Sequence, residues 1–156
     1  MSKIDARLAE LGIDLPEVVA PVAAYVPAVA HNGMVYTAGQ LPMVSGALPA
    51  TGKVGDGHGL VPVADAKEYA RISALNAVAA VKSVIGDLDR VTRIIKVTGF
   101  VASDPAFTNQ STVVNGASEV LGQIFGDIAV HARSSVGMAV LPLDSPVEVE
   151  LIVAFE

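Results

Sequence analysis

Cysteine and tryptophan are absent from this sequence, and all aromatic residues together make up only 4% of it. The lack of cysteine excludes disulfides, thiol catalysis and the zinc sites that are built on cysteine. Positive charge is also scarce, because ten lysine and arginine residues stand against sixteen aspartate and glutamate residues. The net charge of -6 argues against nucleic acid as a partner, since binding to phosphates requires a basic face.

Long apolar runs are missing as well. The most apolar stretch, Val18–Ala30, is interrupted by Pro21 and Pro27 and is too short to span a membrane. The charged start, Met1–Leu8, lacks the apolar core of a signal peptide. We therefore expect a soluble, cytoplasmic protein that makes no membrane contact.

What the chain does have is a high apolar content for its size. Its 156 residues are 52% hydrophobic, which suits one domain with a substantial core. A small domain of this composition has apolar surface to cover, and symmetric association of identical chains is the usual solution. The composition therefore predicts a homo-oligomer.

Local patterns in the first part of the chain predict a short helix and a hairpin. Ser2 and Asp5 are spaced as in a capping box at a helix start. The turn residues His31–Gly33 precede a short strand, Met34–Ala38, as in a hairpin. The glycine-rich stretch Pro42–Gly59 predicts a loop that contains at most one short edge strand.

Two long helices and three further strands are predicted in the rest of the chain. The first helix is expected from near Asp65, with Glu68 at capping-box spacing, to Gly86. The second is expected to begin at Ser103–Pro105 and to end at Gly126. The predicted strands are Val91–Val101, Arg133–Val140 and Val147–Phe155. This order indicates an α+β fold with both helices on one face of a sheet.

Arg133 is the charged residue whose placement most needs an explanation. It begins a predicted strand of small and apolar residues. A guanidinium keeps its proton, so burying it is unfavourable unless an anion or several acceptors bind it. Arg133 is therefore a candidate for binding a carboxylate, and the alternative is an ordinary ion-paired arginine at a strand end.

Two carboxylates in the last strand are the matching candidates for acid–base chemistry. Glu148 and Glu150 alternate with Val147 and Val149, so both glutamates point to the same face of the strand. A carboxylate in an apolar setting can have a raised pKa and can activate a water molecule. The alternative is a pair of solvated charges that protects an outer strand.

Other polar residues give weaker signals. The three histidines, at positions 31, 58 and 131, have no metal-ligand spacing, so we expect no metal site. Gly52–Gly59 lacks the spacing of a phosphate-binding loop. Tyr25 and Asn115 are polar residues within apolar segments, and each is open to a structural interpretation as a satisfied core or interface group.

Five short motifs occur in an order that is typical of one known family. They are Tyr36–Pro42, the helix around Asn115, Ala132–Ser134, Leu141–Pro142 and Val147–Glu150. Together they resemble the reactive intermediate deaminase family, which is also called the YjgF-like, RidA-like or L-PSP family. The resemblance covers roughly residues 21–156, so residues 1–20 are interpreted as an N-terminal extension of a single domain.

The resemblance implies a fold, an assembly and an activity. The implied fold is chorismate-mutase-like, with a mixed six-stranded sheet and two helices packed on one face. The implied assembly is a homotrimer whose clefts lie at subunit boundaries and draw residues from two chains. The implied activity is hydrolysis of reactive 2-imino and 2-enamino acids to 2-oxo acids and ammonia, without a cofactor.

The resemblance also assigns roles by position. Arg133 would bind the carboxylate of the substrate, and Glu148 would position the attacking water. The remaining ligand-binding positions would be Tyr25, Gly39, Asn115 and Ser135. Ser135 stands where many deaminating members have cysteine, and Ala38 replaces a hydroxyl residue that often precedes the Gly-Gln pair. Both differences change the polarity of the cleft and therefore bear on substrate range.

Two other functions compete with the deaminase. A protein of the same fold could bind small carboxylates such as 2-oxo acids without turning them over. Some relatives are described as endoribonucleases, but the acidic charge balance of this chain makes that function the weaker alternative.

Overall fold

One face of a mixed β-sheet carries the two long helices in the computed structural model, which describes residues 2–18 and 24–156. The helices are α1 (Lys3–Leu11), α2 (Val63–Ile85) and α3 (Gln110–Phe125). The strands are β1 (Ala28–His31), β2 (Met34–Thr37), β3 (Val91–Ala102), β4 (Ala132–Met138) and β5 (Val147–Phe155). Their order in the sheet is β1-β2-β5-β3-β4, and only the β3–β4 pair is parallel. The predicted α+β class is confirmed.

The prediction of a six-stranded sheet is wrong, because the sheet has five strands. The missing strand would come from the glycine-rich stretch before α2, which forms only isolated bridges, including one between Val44 and Ala47. Glycines and prolines interrupt a continuous ladder there. The stretch is nevertheless anchored, since Val54 is fully buried and its backbone bonds to Ala102 and Asp104 at the end of β3.

Both long helices begin elsewhere than predicted. Helix α2 begins two residues before Asp65, and Pro62 is its N-cap without a side-chain hydrogen bond, so the predicted capping box does not form. Helix α3 begins at Gln110 instead of Ser103. Asp104 accepts a hydrogen bond from the backbone of Ala106 at 3.0 Å, which closes a separate turn ahead of the helix. Both predicted ends, at Gly86 and Gly126, are confirmed.

The N-terminal helix α1 is a third helix, beside the two that cover the sheet. Its N-cap is Ser2, whose hydroxyl accepts from the backbone N–H of Asp5 at 3.1 Å, as predicted. The Asp5 carboxylate lies 2.7 Å from Nζ of Lys82 on α2. Asp89 accepts from the backbone N–H groups of Ile4 and Lys3, and these bonds lower its pKa. Polar contacts thus attach α1 to the rest of the domain. Pro21 and the predicted boundary between residues 20 and 21 lie outside the described residues.

Strand register decides which side chains face the helices. A Cβ added at Gly99 would meet Val114 of α3, so this position of β3 faces the helices. Its partners are Ser135 on β4 and Val149 on β5, and paired residues point to the same side. Glu148 is paired with Phe100 and therefore points to the opposite, open face.

The turn between β1 and β2 is the hairpin that the sequence predicts. His31 pairs with Met34, and the two residues between them have positive φ angles of 49° at Asn32 and 72° at Gly33. This conformation matches the twist of the flanking strands. Within residues 2–18 and 24–156, no helix is long and apolar enough to cross a membrane.

Candidate functional site

Arg133 lies on β4 and reaches across to α3. It pairs with Val97 of β3, which is fully buried on the helix-covered face. Its Nη1 donates to Oδ1 of Asn115 at 2.8 Å and to Oγ of Ser118 at 3.1 Å. Its Nη2 donates to the backbone carbonyl of Ser111 at 3.3 Å. The structure thus brings together two predicted site residues, Arg133 and Asn115.

The three partners of Arg133 form a polar stripe on an otherwise apolar helix. Ser111, Asn115 and Ser118 lie at helical spacing, so they share one side of α3. That side faces β4, whereas the side facing α2 and β3 carries Val114 and Ala117, both buried. The stripe gives the guanidinium acceptors where it would otherwise meet hydrocarbon.

The acceptors around Arg133 are all neutral. None of the described residues forms an ion pair with Arg133, and its partners are an amide oxygen, a hydroxyl and a carbonyl. Within the same part of the chain, no group accepts a hydrogen bond from Nε. Among the described residues no carboxylate offsets the charge of the guanidinium, and its Nε–H can still donate to an anion such as a carboxylate.

Ser135 follows Arg133 on the same side of β4. Its hydroxyl oxygen is buried and has no hydrogen-bond partner among the described residues. A buried hydroxyl without a partner is unfavourable, and such groups are often satisfied by a bound molecule. Ser135 is thus a buried polar group two residues from Arg133 in sequence, and its hydroxyl has no partner among the described residues.

Glu148 and Gly39 meet on the open face of the sheet. The backbone of Gln40 exchanges two hydrogen bonds with Val149, at 2.8 and 3.0 Å, and this holds Gly39 beside β5. A Cβ added at Gly39 would overlap the carboxylate of Glu148. The absence of a side chain at Gly39 therefore makes room for this carboxylate.

The environment of Glu148 favours its protonated form. Burial raises the pKa of the carboxyl group, and the nearby charge of Glu150 raises it further. No described side chain donates a hydrogen bond to this carboxylate, so nothing nearby offsets the loss of hydration. Glu148 can accordingly accept a proton from water more readily than an ordinary glutamate.

The predicted site residues fall into separate groups within one chain. Arg133, Asn115 and Ser135 lie on the helix-covered side, and Glu148 and Gly39 lie on the open face. Tyr25 joins neither group, because it is 59% exposed and makes no hydrogen bond to a described residue. Within residues 2–18 and 24–156, no three histidine or carboxylate side chains cluster as metal ligands would.

Sequence reasoning missed Ser118 and His131. Ser118 Oγ lies 2.9 Å from Nε2 of His131, so Ser118 contacts both Arg133 and a histidine. The available signal was the spacing of Ser111, Asn115 and Ser118 in an apolar helix. No pattern in the sequence connects His131 to this stripe, because the contact depends on how β4 lies along α3.

Together the fold and the site define a small α+β domain of the chorismate-mutase-like type, with an arginine held by neutral acceptors on one side of the sheet and a half-buried glutamate on the other. A family model described as "YjgF/chorismate_mutase-like, putative endoribonuclease" matches residues 5–155. The chain therefore belongs to the YjgF/chorismate-mutase-like family.

The similarity to known proteins extends over nearly the whole chain. Protein TCP17 of Trypanosoma cruzi is 40% identical over 154 residues, which are 97% of this chain and 93% of that protein. The crystal structure of a protein of unknown function from Agrobacterium tumefaciens has a TM-score of 0.88 and 45% identity, covering 98% of this chain and 92% of that one. The Escherichia coli protein TdcF, solved with bound serine, has a TM-score of 0.62 and 27% identity, covering 88% and 92%.

Proposed function

We propose that this protein is an enamine/imine deaminase that hydrolyses reactive 2-imino acids to 2-oxo acids and ammonia. Arg133 binds the substrate carboxylate, and Glu148 positions and activates the attacking water. The observation that carries the proposal is the state of Arg133, whose Nη1 and Nη2 are held by neutral acceptors and whose Nε–H has no described acceptor.

The proposed reaction needs little beyond these two groups. Water adds to the carbon of the protonated imine, C=NH2+, while Glu148 accepts one of its protons, and this gives a carbinolamine with –OH and –NH2. Glu148 returns that proton to the nitrogen, the C–N bond breaks to release ammonia, and the hydroxyl proton passes to Glu148 as the carbonyl of the 2-oxo acid forms. Transfer of this last proton to ammonia gives ammonium and restores the carboxylate. Holding the carboxylate and the water in place supplies most of what an activated imine requires. The raised pKa of Glu148 suits this exchange of one proton.

Because Arg133 and Glu148 lie on opposite faces of the sheet, the proposed site needs a second copy of the chain. Glu148 and Arg133 point to opposite sides within one subunit. On the open side of β4, Val136 and Met138 are 39% and 36% exposed, and Val140 just beyond is 67% exposed. We propose that a neighbouring copy covers this apolar surface in a homotrimer, and that Arg133 of one subunit meets Glu148 of the next.

The ligand bound to TdcF supports the substrate class. Serine is an amino acid with a free carboxylate, and TdcF shares this fold. A 2-imino acid presents the same carboxylate next to a carbon that carries nitrogen. The similarity therefore favours small amino-acid derivatives over larger ligands for this chain.

The test measures the decay of 2-iminobutyrate, which an amino-acid oxidase generates in situ. Semicarbazide traps the imine that remains and so reports its rate of loss. We expect the protein to speed the release of ammonia, and we expect Arg133→Ala to remove most of that effect. Purified protein that is no faster than buffer on several 2-imino acids would contradict the proposal.

Two control assays separate the alternatives. Calorimetry with 2-oxobutyrate would reveal a protein that binds small carboxylates, and binding without turnover would identify a non-catalytic function. Cleavage of RNA at several salt concentrations, with Arg133→Ala as the control, tests the ribonuclease function named in the family description.

A further inference from the structure

A chain of hydrogen bonds continues from Arg133 to a histidine just before β4. Ser118 Oγ lies 3.1 Å from Nη1 of Arg133 and 2.9 Å from Nε2 of His131. The other ring nitrogen, Nδ1 of His131, bonds to the backbone carbonyl of Ala129. Three side chains from α3, β4 and the segment before β4 are thus linked in series.

Two bonds in this chain have a fixed direction, and the third follows from them for a neutral histidine ring. The guanidinium of Arg133 can only donate, so the hydroxyl oxygen of Ser118 accepts from it. The carbonyl of Ala129 can only accept, so Nδ1 of His131 carries a proton. In the neutral ring, Nε2 is then the acceptor, and the hydroxyl of Ser118 donates to it.

This direction matters for how the guanidinium is held. A free serine hydroxyl can rotate its proton toward any neighbour, but with a neutral His131 ring the proton of Ser118 points to Nε2 of His131. The lone pairs of Ser118 are therefore presented to Nη1. With Asn115 on the same nitrogen and the carbonyl of Ser111 on Nη2, the plane of the guanidinium is fixed.

We infer that Ser118 and His131 are positioning residues for the carboxylate site: they fix the rotation of the Arg133 guanidinium so that its Nε–H, which has no described acceptor, faces the ligand. The inference rests on the proposed function for the identity of the ligand. It assigns a role to two residues that do not themselves touch the substrate.

The experiment compares Ser118→Ala and His131→Leu with variants that restore the bond. Ser118→Thr keeps the hydroxyl, and His131→Gln keeps an acceptor that can reach it. The matched control is Ser83→Ala on α2, since the one described partner of the Ser83 hydroxyl is the backbone carbonyl of Ala80 on the same helix. Three quantities are measured for each variant: the dissociation constant for 2-oxobutyrate, the KM and kcat for 2-iminobutyrate, and the rotation rate of the Arg133 guanidinium by NMR.

We expect Ser118→Ala to raise the dissociation constant and KM about tenfold, the size expected for one lost hydrogen bond to a charged group. The value of kcat should change much less, because the carboxylate is held alike in the ground and transition states. Guanidinium rotation should become faster. His131→Leu should show the same pattern more weakly, and the conservative variants should recover toward wild type. The Ser83→Ala control should match wild type.

The outcomes distinguish this inference from the proposed function. Turnover by wild type, with binding and guanidinium rotation unchanged in Ser118→Ala and His131→Leu, would overturn the positioning role while the proposed function stands. Wild type without binding or turnover, but with faster rotation in Ser118→Ala, would overturn the proposed function and confirm that Ser118 holds Arg133. If Ser118→Ala does not fold, the comparison of His131→Leu with His131→Gln decides.

Discussion

The two faces of the sheet hold their charged groups in opposite ways. On the helix-covered face, Arg133 is held by side chains of Asn115 and Ser118 and by a backbone carbonyl. On the open face, Glu148 has no described hydrogen-bond donor, is half-buried, and has a like-charged neighbour in Glu150. The cation is thus oriented without a counter-charge from the described residues, while the carboxylate is destabilised as an anion.

The partners of Arg133 also differ from those of Lys82 in the same domain, whose Nζ lies 2.7 Å from the carboxylate of Asp5. Arg133 instead has neutral partners, so its binding energy remains available to a ligand. Glu148 gains nothing from its surroundings as an anion, and its pKa is raised as a result.

The largest expected effect is on the open face. Glu148→Gln removes the proton acceptor but keeps the shape of the side chain, so kcat for 2-iminobutyrate should fall about a thousandfold. Binding of 2-oxobutyrate should persist, because Arg133 is unchanged. Steady-state kinetics and calorimetry on the same preparation measure the two effects. Glu150→Gln, on the same strand and face, is the matched control and should keep kcat near wild type at neutral pH.

On the helix-covered face, substitution of Arg133 should mainly weaken ligand binding. Arg133→Ala should weaken binding of 2-oxobutyrate about a hundredfold, since it removes a hydrogen-bonded partner of the ligand charge. Arg133→Lys keeps the charge but loses the fork, so it should recover only part of the affinity. Calorimetry measures both variants. Equal affinity of wild type and Arg133→Ala would show that Arg133 is not the carboxylate-binding group.

Gly39 offers a way to move Glu148 without changing it. A methyl group at Gly39 would overlap the Glu148 carboxylate and push it aside. We expect Gly39→Ala to lower kcat about tenfold to a hundredfold, as misplaced catalytic groups commonly do. Gly122→Ala on α3 is the control, because nothing lies within 4 Å of the added carbon. Kinetics of both variants measure the effect, and equal kcat values for the two would contradict the position assigned to Glu148.

The smallest expected effect is a shift in pH dependence. Glu148 must be ionised to accept a proton, so activity should rise with pH through its raised pKa. Glu150→Gln removes the like charge, so the pKa of Glu148 should fall and the acidic limb of the kcat profile should move to lower pH. Glu10→Gln on α1 changes the net charge equally and should leave the limb in place.

The free energy of unfolding should also depend on the ionisation of Glu148, but it should fall with rising pH where activity rises. A raised pKa means that the native state binds the Glu148 proton more tightly than the unfolded chain does. This contribution to the free energy of unfolding is present below the ordinary glutamate pKa and is lost as pH rises through the raised value. In denaturant titrations, the free energies of unfolding of wild type and Glu148→Gln should therefore be most similar at acidic pH, where both side chains are neutral. They should differ most at alkaline pH, where only the wild type is charged at this position.

The sequence predicted which helices and strands occur, and where the long helices end, better than where the long helices begin. The hairpin turn at Asn32 and Gly33 and the ends of both long helices were predictable, because glycine with positive φ marks them. The starts were not, since Pro62 began α2 without a capping side chain and Asp104 formed a separate turn before α3. Local signals identify such turns but not whether a helix continues from them.

The candidate site shows a similar division. The alternation of Glu148 and Glu150 with valines predicted their shared face, which the strand register confirms. The residues around Arg133 depend instead on how β4 lies against α3. The contact between Ser118 and His131 spans two elements, and a single sequence carries no register between a helix and a strand.

The most direct test of the central claim, that Arg133 and Glu148 act across a subunit boundary, is to mix two inactive variants. Arg133→Ala and Glu148→Gln are each purified, combined, unfolded and refolded together, and assayed with 2-iminobutyrate. If the site draws one residue from each of two chains, about a quarter of the sites in an equal mixture contain both native residues. We predict recovery of activity to about that fraction of wild type. A refolded mixture no more active than the separate variants would contradict the account.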